Sequence, residues 1–201
     1  MTQPNGRASV RRAWTSALVI QAAVIWFEYV SSGRSHSQAL ISDILHNSAD
    51  ILLVFMTAVP LVMRPAPEIM KASKNFSVAI NVIFLMAGGV AGVWIGIRAL
   101  KDPQLVIYSL AWPAALASLI GNLLIYGVVR PFRHDHGARI FGWHQLWDVA
   151  AAMTATLALW FGSKINAPYL DAFASITIGV FMFCHWPVAM LFDRNGHNHC
   201  H

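Results

Sequence analysis

Apolar runs of about 20 residues alternate with short polar segments along this chain, a spacing that matches the thickness of a lipid bilayer when wound as helix. The first run extends from Ala13 to about Ser32, and the second from Gln38 to Met63, stopping at Arg64-Pro65. The third covers about Phe76 to Ile97, where Gly88-Gly89 and Gly92 allow close helix contact. The fourth runs from about Leu105 to Val129, with Pro113 as an expected kink and Asn122 deep inside it. The fifth covers about Ile140 to Phe161, with a start that can lie a few residues earlier, and the sixth runs from Tyr169 to Phe192. The pattern predicts an all-α membrane protein with six transmembrane helices. A polar segment, residues 1–12, precedes a single transmembrane domain, residues 13–192, and a short His/Cys-rich tail, residues 193–201, follows it.

Composition sharpens this picture. Of 201 residues, 57% are hydrophobic and 11% charged; a soluble domain carries about a quarter charged residues, so this chain lacks the polar surface to stay in water. A basic start before an apolar run can mark a secretory signal. The first run is too long for a signal core, no small-residue cleavage site follows it, and Gln21 and Glu28 within it suit a buried bundle helix. The formal charge of +5 comes from basic residues scattered between the apolar runs, which is a topology signal and not a nucleic-acid-binding stripe. Cys184 and Cys200 are too few for a disulfide framework.

The same basic residues orient the chain. Alternate polar segments collect ten Lys and Arg on one side (Arg7, Arg11, Arg12, Arg64, Lys71, Lys74, Arg130, Arg133, Arg139 and Arg194) and four on the other (Arg34, Arg98, Lys101 and Lys164). The richer side is expected to be cytoplasmic, which places both termini inside.

The candidate chemistry lies within the apolar runs. His46 and Asp50 in the second, and His144 and Asp148 in the fifth, are each a His followed four positions later by an Asp. On a helix, positions i and i+4 share a face, so each pair presents an imidazole and a carboxylate in one direction. Five of the nine acidic residues (Glu28, Asp43, Asp50, Asp148 and Asp171) fall in or at the edges of the runs, and no Lys or Arg lies deep enough to neutralise them. A buried carboxylate in hydrocarbon costs from about 2.5 kcal/mol upward, so the compensating charge must be a metal ion or protons. Two neutral imidazoles and two carboxylates carry a charge of −2, which one divalent cation cancels. Mixed nitrogen and oxygen ligation in a tetrahedron suits Zn²⁺, while magnesium and calcium prefer oxygen and copper(I) prefers sulfur. The ligand set does not separate zinc from cadmium or cobalt. A site that tolerates zinc or protons, but not emptiness, is expected of an antiporter. The competing reading is that each His-Asp pair is an internally hydrogen-bonded structural couple.

The chain resembles the cation diffusion facilitator family of zinc transporters. The likeness lies in Glu28, Gly33, the stretch Ser37 to Asp50, Arg64-Pro65, Gly121-Asn122, His144 to Asp148 and Asp171 to Ser175, and spans about Ala13 to Phe192. The resemblance implies a bundle of spans 1, 2, 4 and 5 with spans 3 and 6 paired beside it. It also implies a homodimer and a transport site built from His46, Asp50, His144 and Asp148, mostly zinc-selective and often handling cadmium. Family members commonly continue into a cytoplasmic metal-binding domain after span 6, and this chain stops nine residues after Phe192. Dimerisation is therefore expected to rest on the membrane spans.

The function expected is a cation efflux transporter of the bacterial inner membrane that exports cytoplasmic Zn²⁺ in exchange for protons by alternating access. The alternative is a passive metal channel or a metal-binding accessory subunit. An enzyme is not expected, because no His-Glu-x-x-His motif or nucleophile elbow is present and four protein ligands leave zinc no open position. Glu28, Asp43, Asn122 and Asp171 are candidates for the metal or proton path or for supporting the site, with helix–helix hydrogen bonding as the competing role. His134 and His136 in the loop before span 5, and His197, His199, Cys200 and His201 in the tail, are candidate accessory metal ligands, weighed against a solvated loop and a terminus without function. Cys184 and His185 are expected to pack.

Overall fold

The structure is a computed structural model that describes the backbone of residues 4–63, 67–132 and 136–196, and the side chains of residues 9–51, 82–132 and 141–184. The described residues form six long helices: α1 (Pro4–Ser35), α2 (Gln38–Met63), α3 (Pro67–Lys101), α4 (Tyr108–Val129), α5 (His136–Ile165) and α6 (Tyr169–Gly196). A single 3-10 turn, Arg130–Phe132, extends α4. Helix α2 has the bounds its apolar run predicts, and α4 and α6 start or stop close to theirs.

The other helices run past the membrane-length segments. Helix α3 begins at Pro67 instead of Phe76, so the loop expected over residues 64–75 is largely helical. Proline at the first helical position is well placed, since that N–H has no intrahelical acceptor. Helix α5 begins at His136, which shortens the loop expected up to Arg139, and α1 already starts at Pro4 within the polar leader. Hydropathy reports which residues lie in lipid, and a helix need not end where lipid does.

Two tight reversals hold consecutive helices together. His36, with φ 57°, leaves α1 through a left-handed residue whose N–H reaches Ser32 O at 3.0 Å. Asn166, with φ 50°, closes α5, and the following N–H of Ala167 reaches back to Gly162 O at 3.2 Å. The second pattern is a Schellman cap. Asn and His tolerate this backbone region better than most residues.

Helices α1, α2, α5 and α4 pack in a closed ring, each against the next, and α3 and α6 pair with one another beside it. Helix α3 lies against α2, and α6 spans α2 and α5. This is the arrangement the family resemblance implies. The α3–α6 crossing is close because it is lined with glycine. A Cβ on Gly179 would sit 2.8 Å from Gly89 O and from Val93 N, nearer than real side chains approach.

The molecule is polar within and apolar without. Trp26, Trp94 and Leu105 are 68%, 67% and 83% exposed, whereas Gln21, Glu28, Asp43, Asn47, Ser118 and Gln145 are fully buried. That distribution suits a hydrocarbon surround, in which apolar surface costs nothing and polar groups must find partners inside. Three described segments, Ser9–Ser35, Val82–Lys101 and Tyr108–Phe132, are long and apolar enough to cross a membrane, and Tyr169–Cys184 is a shorter apolar helix. Two apolar clusters bracket the polar centre of the ring. Ala39, Leu40, Ala111, Ala115, Ala155, Leu159 and Ile178 close one end, and Trp14, Ala17, Ile125, Val129 and Phe141 close the other.

Candidate functional site

Between the two apolar clusters, the faces of α2 and α5 meet. Helical register puts His46 and Asp50 on one face of α2 and His144 and Asp148 on one face of α5, and the packing turns both faces inward. All four residues are buried, with none more than 4% exposed. The pairing crosses between helices. His46 Nε2 lies 2.7 Å from Asp148 Oδ1, and His144 Nε2 lies 2.5 Å from Asp50 Oδ1. Within each helix the His–Asp separations are longer, 3.7 Å from His46 to Asp50 and 3.8 Å from His144 to Asp148. Neither motif is therefore an isolated couple on its own helix; the four side chains form one constellation.

The two imidazoles are stacked with ring centroids 6.2 Å apart, and Phe141 stacks on His144 from below at 6.1 Å. Trp14 of α1 packs on Phe141 at 5.0 Å, so an aromatic floor separates the site from that end of the ring. Donor atoms of His46, Asp50 and Asp148 all lie within 4.8 Å of one another, which is close enough for one ion to be held by all three. His144 falls outside that trio, yet its Nε2 contacts Asp50 and reaches toward Asp148.

A Gln completes the site. Gln145 Nε2 donates to Asp148 Oδ2 at 2.5 Å and fixes the orientation of that carboxylate. The pattern of four-residue spacings does not single it out; a fully buried amide beside the motif in an apolar run is the signal that would have found it.

The remaining sequence candidates separate into two groups. Glu28, Asp43 and Asn122 are buried on the α1–α2–α4 side of the ring, next to the site, along with Gln21, Asn47 and Ser118. Asn47 follows His46 in the chain and joins that region to the site. Asp171 lies elsewhere. Its carboxylate accepts from Ser37 Oγ at 2.6 Å, Gln38 N at 2.7 Å and Ala39 N at 3.1 Å, at the start of α2. Ser37 in turn accepts from Leu40 N at 3.3 Å as the N-cap of α2. Asp171 thus caps another helix, nine residues before His46, or about 13 Å along the axis. Ser42 and Ser175 extend the α2–α6 contact at 2.7 Å, and Ser175 Oγ donates to Gly92 O of α3. His134, His197, His199, Cys200, His201 and the side chains of His136 and His185 lie outside the described residues.

Residues 15–187 match the family described as the cation efflux transmembrane domain. The chain belongs to the cation efflux family. Among curated proteins, none matches it. The family match covers all six helices and includes both His-Asp pairs, so this cation efflux protein is an integral membrane transporter of metal cations. The buried His/Asp constellation lies between the two apolar clusters.

Proposed function

We propose that this cation efflux transporter exports cytoplasmic Zn²⁺ in exchange for protons, with His46, Asp50, His144 and Asp148 as the ligands of the transported ion. The observation that carries the reading is the crossed pairing of two imidazoles with two carboxylates at the α2–α5 contact, away from solvent. Two nitrogens and two carboxylate oxygens match the donor preference and tetrahedral shape of zinc, at bonds of about 2.0–2.2 Å. Cadmium and cobalt are accommodated by the same donors.

Charge supports the exchange. With neutral imidazoles the four groups carry −2, which zinc cancels. In metal-free form the crossed His–Asp contacts hold protons on the same atoms, so zinc and protons compete for them. Sequestration between apolar clusters on either side suits alternating access, in which one cluster opens at a time. Both termini are cytoplasmic in this reading, the membrane is a bacterial inner membrane, and a second copy is bound through the transmembrane helices. The protein performs no chemistry on its cargo.

The test is zinc flux in proteoliposomes holding the purified chain, with and without a pH gradient. The expected outcome is zinc movement opposite to an imposed proton gradient, accelerated as the gradient steepens. At equal pH on both sides, acidification weakens zinc binding by about tenfold per pH unit for each proton displaced. Zinc flux indifferent to pH would mean a passive pathway, and stoichiometric binding without flux would mean an accessory role.

A further inference from the structure

A second buried polar cluster lies beside the first, where the flank of the same α2 face turns toward α1 and α4. Glu28 of α1, Asp43 and Asn47 of α2 and Ser118 of α4 are each fully buried. The Asn47 amide donates to Glu28 Oε2 at 2.9 Å and to Ser118 Oγ at 3.4 Å. Ser118 Oγ donates to Asp43 Oδ2 at 2.9 Å, and Gln21 Nε2 donates to Asn47 Oδ1 at 2.9 Å. The Glu28 and Asp43 carboxyls are thus joined through the Asn47 amide and the Ser118 hydroxyl. On each, one oxygen (Oε1 of Glu28, Oδ1 of Asp43) meets no donor. An independent observation points the same way: Gln21 is fully buried, its amide is clamped to Asn47, and its Oε1 also has no partner.

Two carboxyls bridged by one amide and one hydroxyl in a low-dielectric interior disfavour a second negative charge unless a cation lies beside them. Among the described residues, none of the groups facing Glu28 supplies one. Helix α2 offers Asp43, Asn47 and, a turn further on, His46; α4 offers Ser118 and Asn122; α1 offers Gln21. The donor set is entirely oxygen and amide, without imidazole or thiolate, which is a poor match to zinc. One proton held by the pair of carboxyls fits it.

We propose that Glu28 and Asp43 share one exchangeable proton and form a counter-ion site separate from the metal ligands. This rests on the zinc/proton exchange proposed above. Loading forms the O–H bond with a proton taken from water on the outer side. Release breaks that bond, leaves its electron pair on the carboxylate oxygen and passes the proton to water on the cytoplasmic side. Release adds a negative charge one helical turn from His46, which strengthens attraction for a divalent cation at the neighbouring site. Arrival of the metal, conversely, expels the proton. Asn47, bonded to Glu28 and adjacent to His46 in the chain, links the two sites mechanically.

The test uses the full chain in proteoliposomes containing a trapped pH dye, with zinc added outside. Glu28→Gln keeps an amide partner for Asn47 and removes the titratable group. Zinc affinity of this variant should remain within about threefold of the unaltered protein, while the protons returned per zinc should fall by about one, those displaced from the four ligands remaining. Glu28→Asp, which restores the acid, should recover part of the counterflow; a purely structural Glu28 would not show this split between binding and proton movement. An unaltered number of protons per zinc in Glu28→Gln would overturn the proposal, as would counterflow carried by sodium instead of protons. If the unaltered protein moves zinc without protons, the exchange reading is what fails. Infrared spectroscopy then decides the pair on its own: a protonated-carboxyl absorption at neutral pH, lost in Glu28→Gln, supports it, and the lack of such a band in the unaltered protein overturns it.

Discussion

Asp171 and Asp148 are both buried carboxylates that meet groups from another helix, and they differ in what holds them. Asp171 is gripped by two backbone N–H groups and a serine hydroxyl at the start of α2. None of these donors ionises at ordinary pH, and the partial positive charge of a helix N-terminus adds to their attraction. Asp148 faces the imidazole of His46, and Asp50 faces that of His144. An imidazole gives up its proton readily and offers the same nitrogen to a metal. The contrast teaches that burial of an acidic residue in a membrane helix does not by itself mark a transport site. The chemistry of its donor separates the two cases: fixed donors suit a clamp, and exchangeable donors suit the proposed site.

Four substitutions test that contrast, and they should separate transport from stability. Asp50→Ala or Asp148→Ala removes a proposed ligand, so zinc flux should drop by about 100-fold or more. The variants should still fold, because the rest of the ring does not depend on them; normal zinc flux in either would refute the site. Asp171→Ala should do the reverse. It leaves Ser37, Gln38 and Ala39 without their acceptor and should lower stability by about 2–3 kcal/mol in thermal unfolding in detergent, with zinc affinity of the folded fraction almost unchanged. A loss of zinc binding as large as that of Asp50→Ala would place Asp171 in the transport machinery after all. The smallest effect is expected from Gln145→Leu, which frees Asp148 to rotate and should weaken zinc binding by about tenfold in a competition titration. An unaltered affinity would mean that the Gln145–Asp148 bond does not orient the ligand.

The sequence reveals unequal parts of this arrangement. Each His-Asp pair is legible because the i and i+4 register is a local property of a helix, and the six-helix pattern is legible because lipid demands long apolar runs. The crossed pairing of His46 with Asp148 is not local. It depends on how α2 and α5 approach, which separates the partners by about a hundred residues and is written in packing, not periodicity. The contacts of Asp171 are non-local in the same way: its partners at Ser37 to Ala39 lie far away in the chain, so the sequence leaves path, support and helix–helix hydrogen bonding side by side, and the structure adds the hydrogen bonds to the start of α2. Helix ends at Pro4, Pro67 and Gly196 escape hydropathy because polar residues such as Lys71 and Lys74 mark the edge of the lipid, not the end of the hydrogen-bond ladder.

The account stands most directly on the coordination of the transported ion. X-ray absorption at the zinc edge, on protein loaded with a single zinc, should show about four nitrogen and oxygen ligands near 2.0–2.1 Å, two of them imidazole, with one imidazole lost in His144→Ala. A sulfur ligand, a six-oxygen shell or a spectrum indifferent to His144→Ala would contradict it.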